Sequence, residues 1–261
     1  MLFGTGKYLE DGDLSDTSGQ AVYGIWDYGD DADNGEYVGT INSGTFTPSP
    51  LLPSGTVTLL AQNVVNEQTA NELDLRTLSN SQADWTASAL NPMDGIACGD
   101  YGGTQDCDPN GTGENPDPIR NVGWYFDLPD TGERVVSDVI AREGNLIVLS
   151  YAPGGSMCAT GGHTWVMAMD ACSGARLSQA NFDVTGDGGI DDQDLVDIGT
   201  SEEIMAPPTG IQFTGRLLPP AILIQSKSAE KLYMSSSMGR IEILGQKAAR
   251  LGVYYWNIFS Q

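Results

Sequence analysis

Glycine and proline fall at nearly every sixth position of this 261-residue chain, 33 of one and 13 of the other. That spacing excludes long helices, because glycine in a helix costs backbone entropy and proline removes a donor and clashes with the preceding turn. Between the breaks lie short segments rich in β-branched and aromatic residues: Ala21–Trp26, Thr56–Gln62, Glu72–Leu78, Val122–Leu128, Leu146–Tyr151, Thr164–Met169, Ile211–Leu217, Ala221–Ile224, Lys231–Ser235, Ile241–Leu244 and Val253–Ile258. Bounded by Gly, Pro, Asn or Asp, they read as strands closed by turns, and the expected fold is all-β. The best helix pattern is Asp191–Ile198, room for one or two turns.

Two stretches repeat the order strand, a tight turn that opens on Asp and closes on Gly, strand. Trp165–Leu177 turns at Asp170–Gly174, and Phe126–Val136 turns at Asp130–Gly132. Hairpin units recurring every 40 to 50 residues or so are the mark of propeller blades. Residues 1–261 are therefore expected to form one propeller-type domain. Glu10–Gly19, Asp27–Gly44 and Ala97–Ile119 are too polar for strands. Long polar loops in an ordered domain carry function or are pinned, here by calcium or by disulfides.

Charge excludes one class of function. Twelve Lys and Arg against 35 Asp and Glu leave a net charge of −23, whereas binding to nucleic acid or to an anionic lipid surface requires a surplus of cations. Nor does any apolar run reach the roughly 20 residues that span a bilayer. Residues 1–205 hold 33 of the acids and residues 206–261 only two. Salt adaptation, a solvated acidic face and divalent-cation sites all fit such an excess, and spacing has to choose among them.

One segment has the spacing of a calcium loop. In Asp183-Val184-Thr185-Gly186-Asp187-Gly188-Gly189-Ile190-Asp191-Asp192-Gln193-Asp194, oxygen side chains fall at positions 1, 3, 5, 9 and 12. Glycine stands at position 6, where the chain must turn sharply, and Ile190 at position 8. The carboxylates of Asp183, Asp187, Asp191 and Asp194, the Thr185 hydroxyl and the Gly189 carbonyl form the expected ligand set for one Ca²⁺. Position 12 is Asp where Glu is usual, so its shorter side chain reaches through one oxygen or a water. The alternative is a solvated acidic turn. A second run, Asp106–Asp117, has similar offsets, but Gly113 replaces the apolar residue and Pro109 and Pro116 stiffen it. A tethered or disordered loop fits that run better than a second calcium site.

The four cysteines form two local pairs, Cys98 with Cys107 and Cys158 with Cys172. Without a Cys-x-x-Cys and with His163 as the one histidine, structural zinc is a poor fit. Disulfides in an oxidising compartment fit better, with four reduced, partly buried thiols as the alternative. No nucleophile stands in a motif with His163, which is read as structural or solvent-facing rather than as a base. Carboxylates are too numerous for a glycosidase pair to be picked by eye. Trp26, Trp85, Trp124, Trp165 and Trp256 are read mainly as core residues, with Trp85 the one expected to be exposed. The start of the chain has neither a basic region nor an apolar core of a secretory signal, so the chain is expected to be an excised portion of a longer exported protein.

Phe3-Gly4-Thr5-Gly6-Lys7-Tyr8-Leu9, Tyr23-Gly24-Ile25-Trp26-Asp27, Gly123-Trp124-Tyr125-Phe126-Asp127-Leu128-Pro129 and Gly132-Glu133-Arg134-Val135-Val136-Ser137-Asp138 occur in that order, followed by the Trp165 strand and the acidic loop. Together they resemble the C-terminal domain of the PilY/PilC-type adhesins of the type IV pilus tip. The resemblance implies a modified β-propeller or the last few blades of one, at the C-terminal end of a longer protein, with export to the cell surface or pilus tip, calcium binding, and roles in pilus extension, twitching and adhesion. Its implied partners are pilus subunits or minor pilins and a host or abiotic surface. The Met167–Asp170 and Ser173-Gly174 pattern also resembles quinoprotein blades, where it marks the blade and not the cofactor. The expected function is therefore a non-enzymatic, calcium-binding pilus adhesin domain. The rivals are a calcium-stabilised propeller enzyme, quinoprotein- or glycosidase-like, and a purely structural repeat.

Overall fold

The computed structural model describes residues 1–25, 40–42, 45–47, 57–81, 120–142, 144–154, 161–199, 201–224 and 229–247. Cys98, Cys107, Cys158, Trp26, Trp85, Trp256, the Asp106–Asp117 run and the Val253–Ile258 segment lie outside them. In chain order the strands are β1 (Leu2–Gly4), β2 (Ala21–Ile25), β3 (Thr40–Asn42), β4 (Thr45–Thr47), β5 (Val57–Gln62), β6 (Val64–Ala70), β7 (Leu73–Leu78), β8 (Arg120–Asp127), β9 (Arg134–Val135), β10 (Ile140–Arg142), β11 (Asn145–Pro153), β12 (Gly162–Asp170), β13 (Val196–Asp197), β14 (Met205–Ala206), β15 (Gly210–Thr214), β16 (Ala221–Ile224), β17 (Ala229–Ser235) and β18 (Ile241–Lys247).

A first sheet runs β1-β2-β8-β5-β4-β3, with β5 parallel to β8 and the other pairs antiparallel. A central sheet runs β10-β11-β12-β15-β7-β6, and β9 shares an edge of β11 with β10. A third sheet is β16-β17-β18, and β13 pairs with β14 as a short ribbon. The middle strands of the central sheet, β11 and β12, are buried on both faces. Leu146 and Val148 of β11 and Trp165, Met167 and Met169 of β12 pack with Val22, Trp124 and Phe126 of the first sheet. The residues between them, Ile147, Leu149, Val166 and Ala168, pack with Leu232, Met234 and Leu244 of the third. Successive side chains of a strand point to opposite faces, so a strand covered on both sides has to be apolar throughout. This is why Leu146–Tyr151 and Thr164–Met169 show no alternation.

The all-β expectation is met as an open stack of three sheets; among the described residues they do not close into a ring. The Phe126–Val136 stretch is not the hairpin that its turn residues predict. Leu128-Pro129 ends β8, and the chain then crosses to the central sheet, where Val135 lies opposite Ser150 of β11 and its N–H donates to Thr5 O at 2.9 Å. The Trp165–Leu177 turn does form: Gly174 N–H donates to Asp170 O and Asp170 N–H to Ala175 O, at 2.8 and 2.9 Å. Asp191–Ile198 is not a helix beyond one 3-10 turn at Asp192–Asp194, since Val196 pairs with Ala206 instead. β6 escapes a pattern search because Asn66, Glu67, Gln68 and Thr69 make it polar, as its alternately half-buried and exposed position at the sheet edge allows.

Trp124 shows how the sequence fixes the first interface. Its ring is fully buried, and its Nε1–H donates to Ala171 O at 3.1 Å. Gly24 on β2 and Gly174 in the Asp170 turn lie against the ring so closely that a Cβ on either would overlap it. Gly24→Ala is accordingly expected to cost about 1–3 kcal/mol through overpacking. Urea denaturation would measure this, and a loss below a few tenths would show that Trp124 can move aside.

Candidate calcium loop and its setting

Asp183–Asp194 leaves the core after Phe182 and returns to it at Val196, both packed between the central and third sheets. Its entry is bonded to β18. Asp183 N–H donates to Gly245 O at 3.2 Å, and Lys247 N–H donates to Asn181 O at 2.8 Å. Gly188, at position 6, has φ of 87°, a conformation that strains any residue with a Cβ, so the sharp turn falls where the calcium pattern places it.

The carboxylates hold the loop's main chain. Asp183 accepts from Gly186 N–H (2.8 Å) and Gly188 N–H (3.0 Å), Asp187 from Gly189 N–H (2.7 Å), and Asp191 caps the 3-10 turn by accepting from Gln193 N–H (2.8 Å). Asp194 is only 1% exposed. One of its oxygens accepts from Val184 N–H (2.7 Å), Thr185 N–H (3.0 Å) and the Thr185 hydroxyl (3.2 Å), and the other from Asp191 N–H (3.0 Å). The residue with the shortest reach in the sequence pattern thus ties the two ends of the loop together.

Among the described residues no three His, Cys, Asp or Glu side chains converge closely enough to hold a metal ion. The loop's carboxylate oxygens are turned to main-chain N–H groups. By donor chemistry the segment fits a hard divalent cation, since every candidate ligand is an oxygen. Asp187 and Asp191 are exposed, while Asp194 already faces inward. Beside the loop is a cleft of about 630 Å³. Asn71 at the β6–β7 turn, Phe213, Lys231 and Ile243 line it together with Asp183 and Asp187.

Sequence reasoning missed a polar knot at one end of the central sheet. Arg76 of β7 is completely buried. It donates to Glu67 (2.7 Å), Glu133 (2.8 Å) and Asp130 (3.1 Å), and its guanidinium lies 4.1 Å from the Trp165 ring centre. Burial alone would lower the Arg76 pKa, yet Glu133, Glu67 and Asp130 outweigh it and the net shift is upward. The Ser150 hydroxyl donates to Glu133, and Asp130 accepts from Trp165 Nε1–H at 2.8 Å. His163 meets the same Asp130 oxygen through Nε2 at 2.8 Å, so the histidine is held by a carboxylate. A charged residue in an otherwise apolar strand, as in Leu75-Arg76-Thr77-Leu78, was the available signal.

The hydrogen bond from His163, helped by Trp165 and Arg76 and opposed by burial, lowers the Asp130 pKa from 3.8 to about 2. A depressed folded-state pKa gives stability that is complete above the unfolded value and is lost as pH falls through the folded one. Thermal melts should therefore decline between pH 4 and 2, roughly, and Asp130→Asn should flatten that limb. Equal acid slopes in the two proteins would count against this role.

The quoted motifs meet beside this knot. Arg134, also buried, donates to Gly132 O (2.8 Å), Lys7 O (2.8 Å) and Asp16 O (2.5 Å), so the Gly132–Asp138 motif clamps the loop that follows Phe3–Leu9. Cys172 is exposed in the Asp170 turn, whose Asp170 side chain accepts from the N–H groups of Cys172 (2.9 Å) and Ser173 (2.8 Å). Its expected partner, Cys158, lies outside the described residues.

This fold has a solved counterpart. The chain superposes on the crystal structure of the Pseudomonas aeruginosa PilY1 C-terminal domain with a TM-score of 0.58 and 22% identity, over 94% of this chain and 40% of that one. In sequence it is 26% identical over 197 residues to the type IV pilus biogenesis factor PilY1 of P. aeruginosa strain PAK. Its homologues are PilY1 proteins. A PilY1 homolog of Xylella fastidiosa is 24% identical over 189 residues. The matches cover 73% and 70% of this chain but only 14% and 9% of those relatives. No family model matches the chain. Among the described residues no helix is long and apolar enough to cross a membrane.

Proposed function

We propose that this chain is a non-enzymatic domain of a type IV pilus biogenesis factor, ordered by one calcium ion and acting as an adhesin domain at the pilus tip or cell surface. The observation that carries the pilus role is the likeness to PilY1 in both sequence and fold. Pilus subunits or minor pilins are its proposed partners, together with a host or abiotic surface. Asp183, Thr185, Asp187, Asp191, Asp194 and the Gly189 carbonyl would hold the ion. What supports this is the all-oxygen donor set and the glycine turn at position 6. Phe182 and Val196, at the two ends of the loop, pack between the central and third sheets, while residues 186–189 and 191–193 are exposed, so an ion there would fix an outer surface.

Against the enzyme reading, Asp130 is shared by Arg76, Trp165 and His163, and Glu133 by Arg76 and Ser150. Groups tied up in this way brace a fold. Calcium should raise the melting temperature, and at a hundredfold excess over its dissociation constant the gain is about 2.7 kcal/mol. Asp183→Ala with Asp187→Ala should abolish that response and alter piliation, twitching or adhesion while export continues. A calcium response that survives the double substitution would end the site assignment, and normal phenotypes would end the proposed role for the ion.

A further inference from the structure

The cleft beside Asp183–Asp194 joins an apolar lining to an acidic one. Its volume of about 630 Å³ lies within the roughly 300–1,000 Å³ of ordinary ligand pockets. Leu73 at the start of β7, Ile211 and Phe213 of β15 and Ile243 of β18 supply the apolar lining, and Ile243 is 52% exposed. The loop supplies the carboxylates of Asp183 and Asp187. A carboxylate offers about four acceptor positions. Among the described residues Asp183 accepts from two main-chain N–H groups and Asp187 from one, so both have room for a donor brought by a ligand.

Charge selects that ligand. Glu230 also borders the cleft, but it is buried, and its carboxylate accepts from Arg142 at 2.7 Å and from Gln246. That leaves Asp183 and Asp187 against Lys231. A further acid stands at the rim. β6 and β7 are joined through Asn71 and Glu72, with φ of 52° and 64°, a two-residue turn whose second position favours glycine. Glu72 is exposed in this strained conformation, and both its neighbours, Asn71 and Leu73, line the cleft. Backbone strain of this kind gathers at ligand sites. Acids on one side and aliphatic or aromatic surface on the other suit a cation carried on an apolar body.

We propose that this cleft binds a basic, amphipathic segment of a partner protein. A Lys or Arg side chain of the segment meets Asp183 and Asp187, and the apolar residues beside it cover Ile211, Phe213 and Ile243. The net charge of −23 draws such a segment towards the protein before contact is made. An ion held by the loop would use the same two carboxylates and compete with the segment, so binding is measured with chelator present.

The probes are acetyl-Leu-Lys-Leu-Lys-Leu-amide and its counterparts with Glu or Ser in place of Lys, titrated into the full chain and followed by methyl NMR. The lysine peptide should bind more tightly than either counterpart and shift the signals of Leu73, Ile211 and Ile243. Asp187→Asn, which keeps an acceptor for Gly189 N–H, should weaken it about two- to fivefold, the worth of a partly exposed ion pair. Glu72→Gly should weaken it as well while leaving the protein at least as stable, because glycine suits the turn. Ile243→Lys sets a like charge in the cleft and should weaken it by about tenfold or more. Glu203→Gln alters an exposed acid that does not border the cleft and should change nothing. A serine or glutamate peptide that binds as tightly overturns the proposal, as does a lysine peptide that fails to bind at millimolar concentration. An equal loss from Glu203→Gln also overturns it, since the attraction would then belong to the acidic surface at large.

Discussion

Arg76→Ala is expected to lower stability by about 3–5 kcal/mol, because it removes one partner from a buried charge cluster and leaves Glu133 uncompensated. Glu133 has no exposed side-chain surface, and its remaining contacts are Ser150 and the Asp130 N–H. Trp165 would also lose the guanidinium packed on its face, a contact worth up to about 2 kcal/mol when desolvated. Arg76→Met with Glu133→Leu should recover much of the loss, since an apolar pair of similar volume avoids burying an unpaired charge. Urea denaturation of both variants measures the effect. A loss below about 1 kcal/mol for Arg76→Ala would mean that water reaches Glu133 and that the cluster is no more than a surface ion pair.

This cluster marks the limit of what the sequence could tell. Strand positions were legible because β-branched and aromatic segments between glycines have few other folds, and the segments covered on both faces stood out by their lack of alternation. Strand order was not legible. Nothing local distinguishes Arg134-Val135 as the return of a hairpin from Arg134-Val135 as a crossing to another sheet. The choice rests on the Val135–Thr5 hydrogen bond and on Arg134 reaching Lys7 and Asp16, contacts between residues more than a hundred positions apart. The same holds for the site. The offsets of Asp183–Asp194 are written in one short segment and were read directly. That Asp194 is its buried tie follows from hydrogen bonds within the segment that the offsets do not reveal, and that β18 borders its entry depends on the third sheet, which comes later in the chain. The Phe3–Leu9 and Gly132–Asp138 motifs, which carried the family resemblance, turn out to secure sheet packing around Arg134 and Val135.

The second large effect links the loop to the core. Phe182 is 1% exposed, adjoins Asp183, and lies opposite Gln246 of β18. Phe182→Ala should cost about 3–5 kcal/mol, the usual loss for emptying a buried aromatic site. If the loop is held in shape by the packing of Phe182 and Val184 between two sheets, the same substitution should also weaken calcium binding, although it removes no candidate ligand. Asp183→Ala with Asp187→Ala should behave in the opposite way, costing about 1–2 kcal/mol through lost turn hydrogen bonds while removing the calcium response altogether. Calorimetric calcium titrations paired with urea unfolding separate the two. A Phe182→Ala protein that is destabilised yet binds calcium with unchanged affinity would show that the loop orders itself around the ion. Weakened binding would show that the affinity depends on the stacked sheets, so that the ion and the packing of the third sheet stabilise each other through one linked equilibrium.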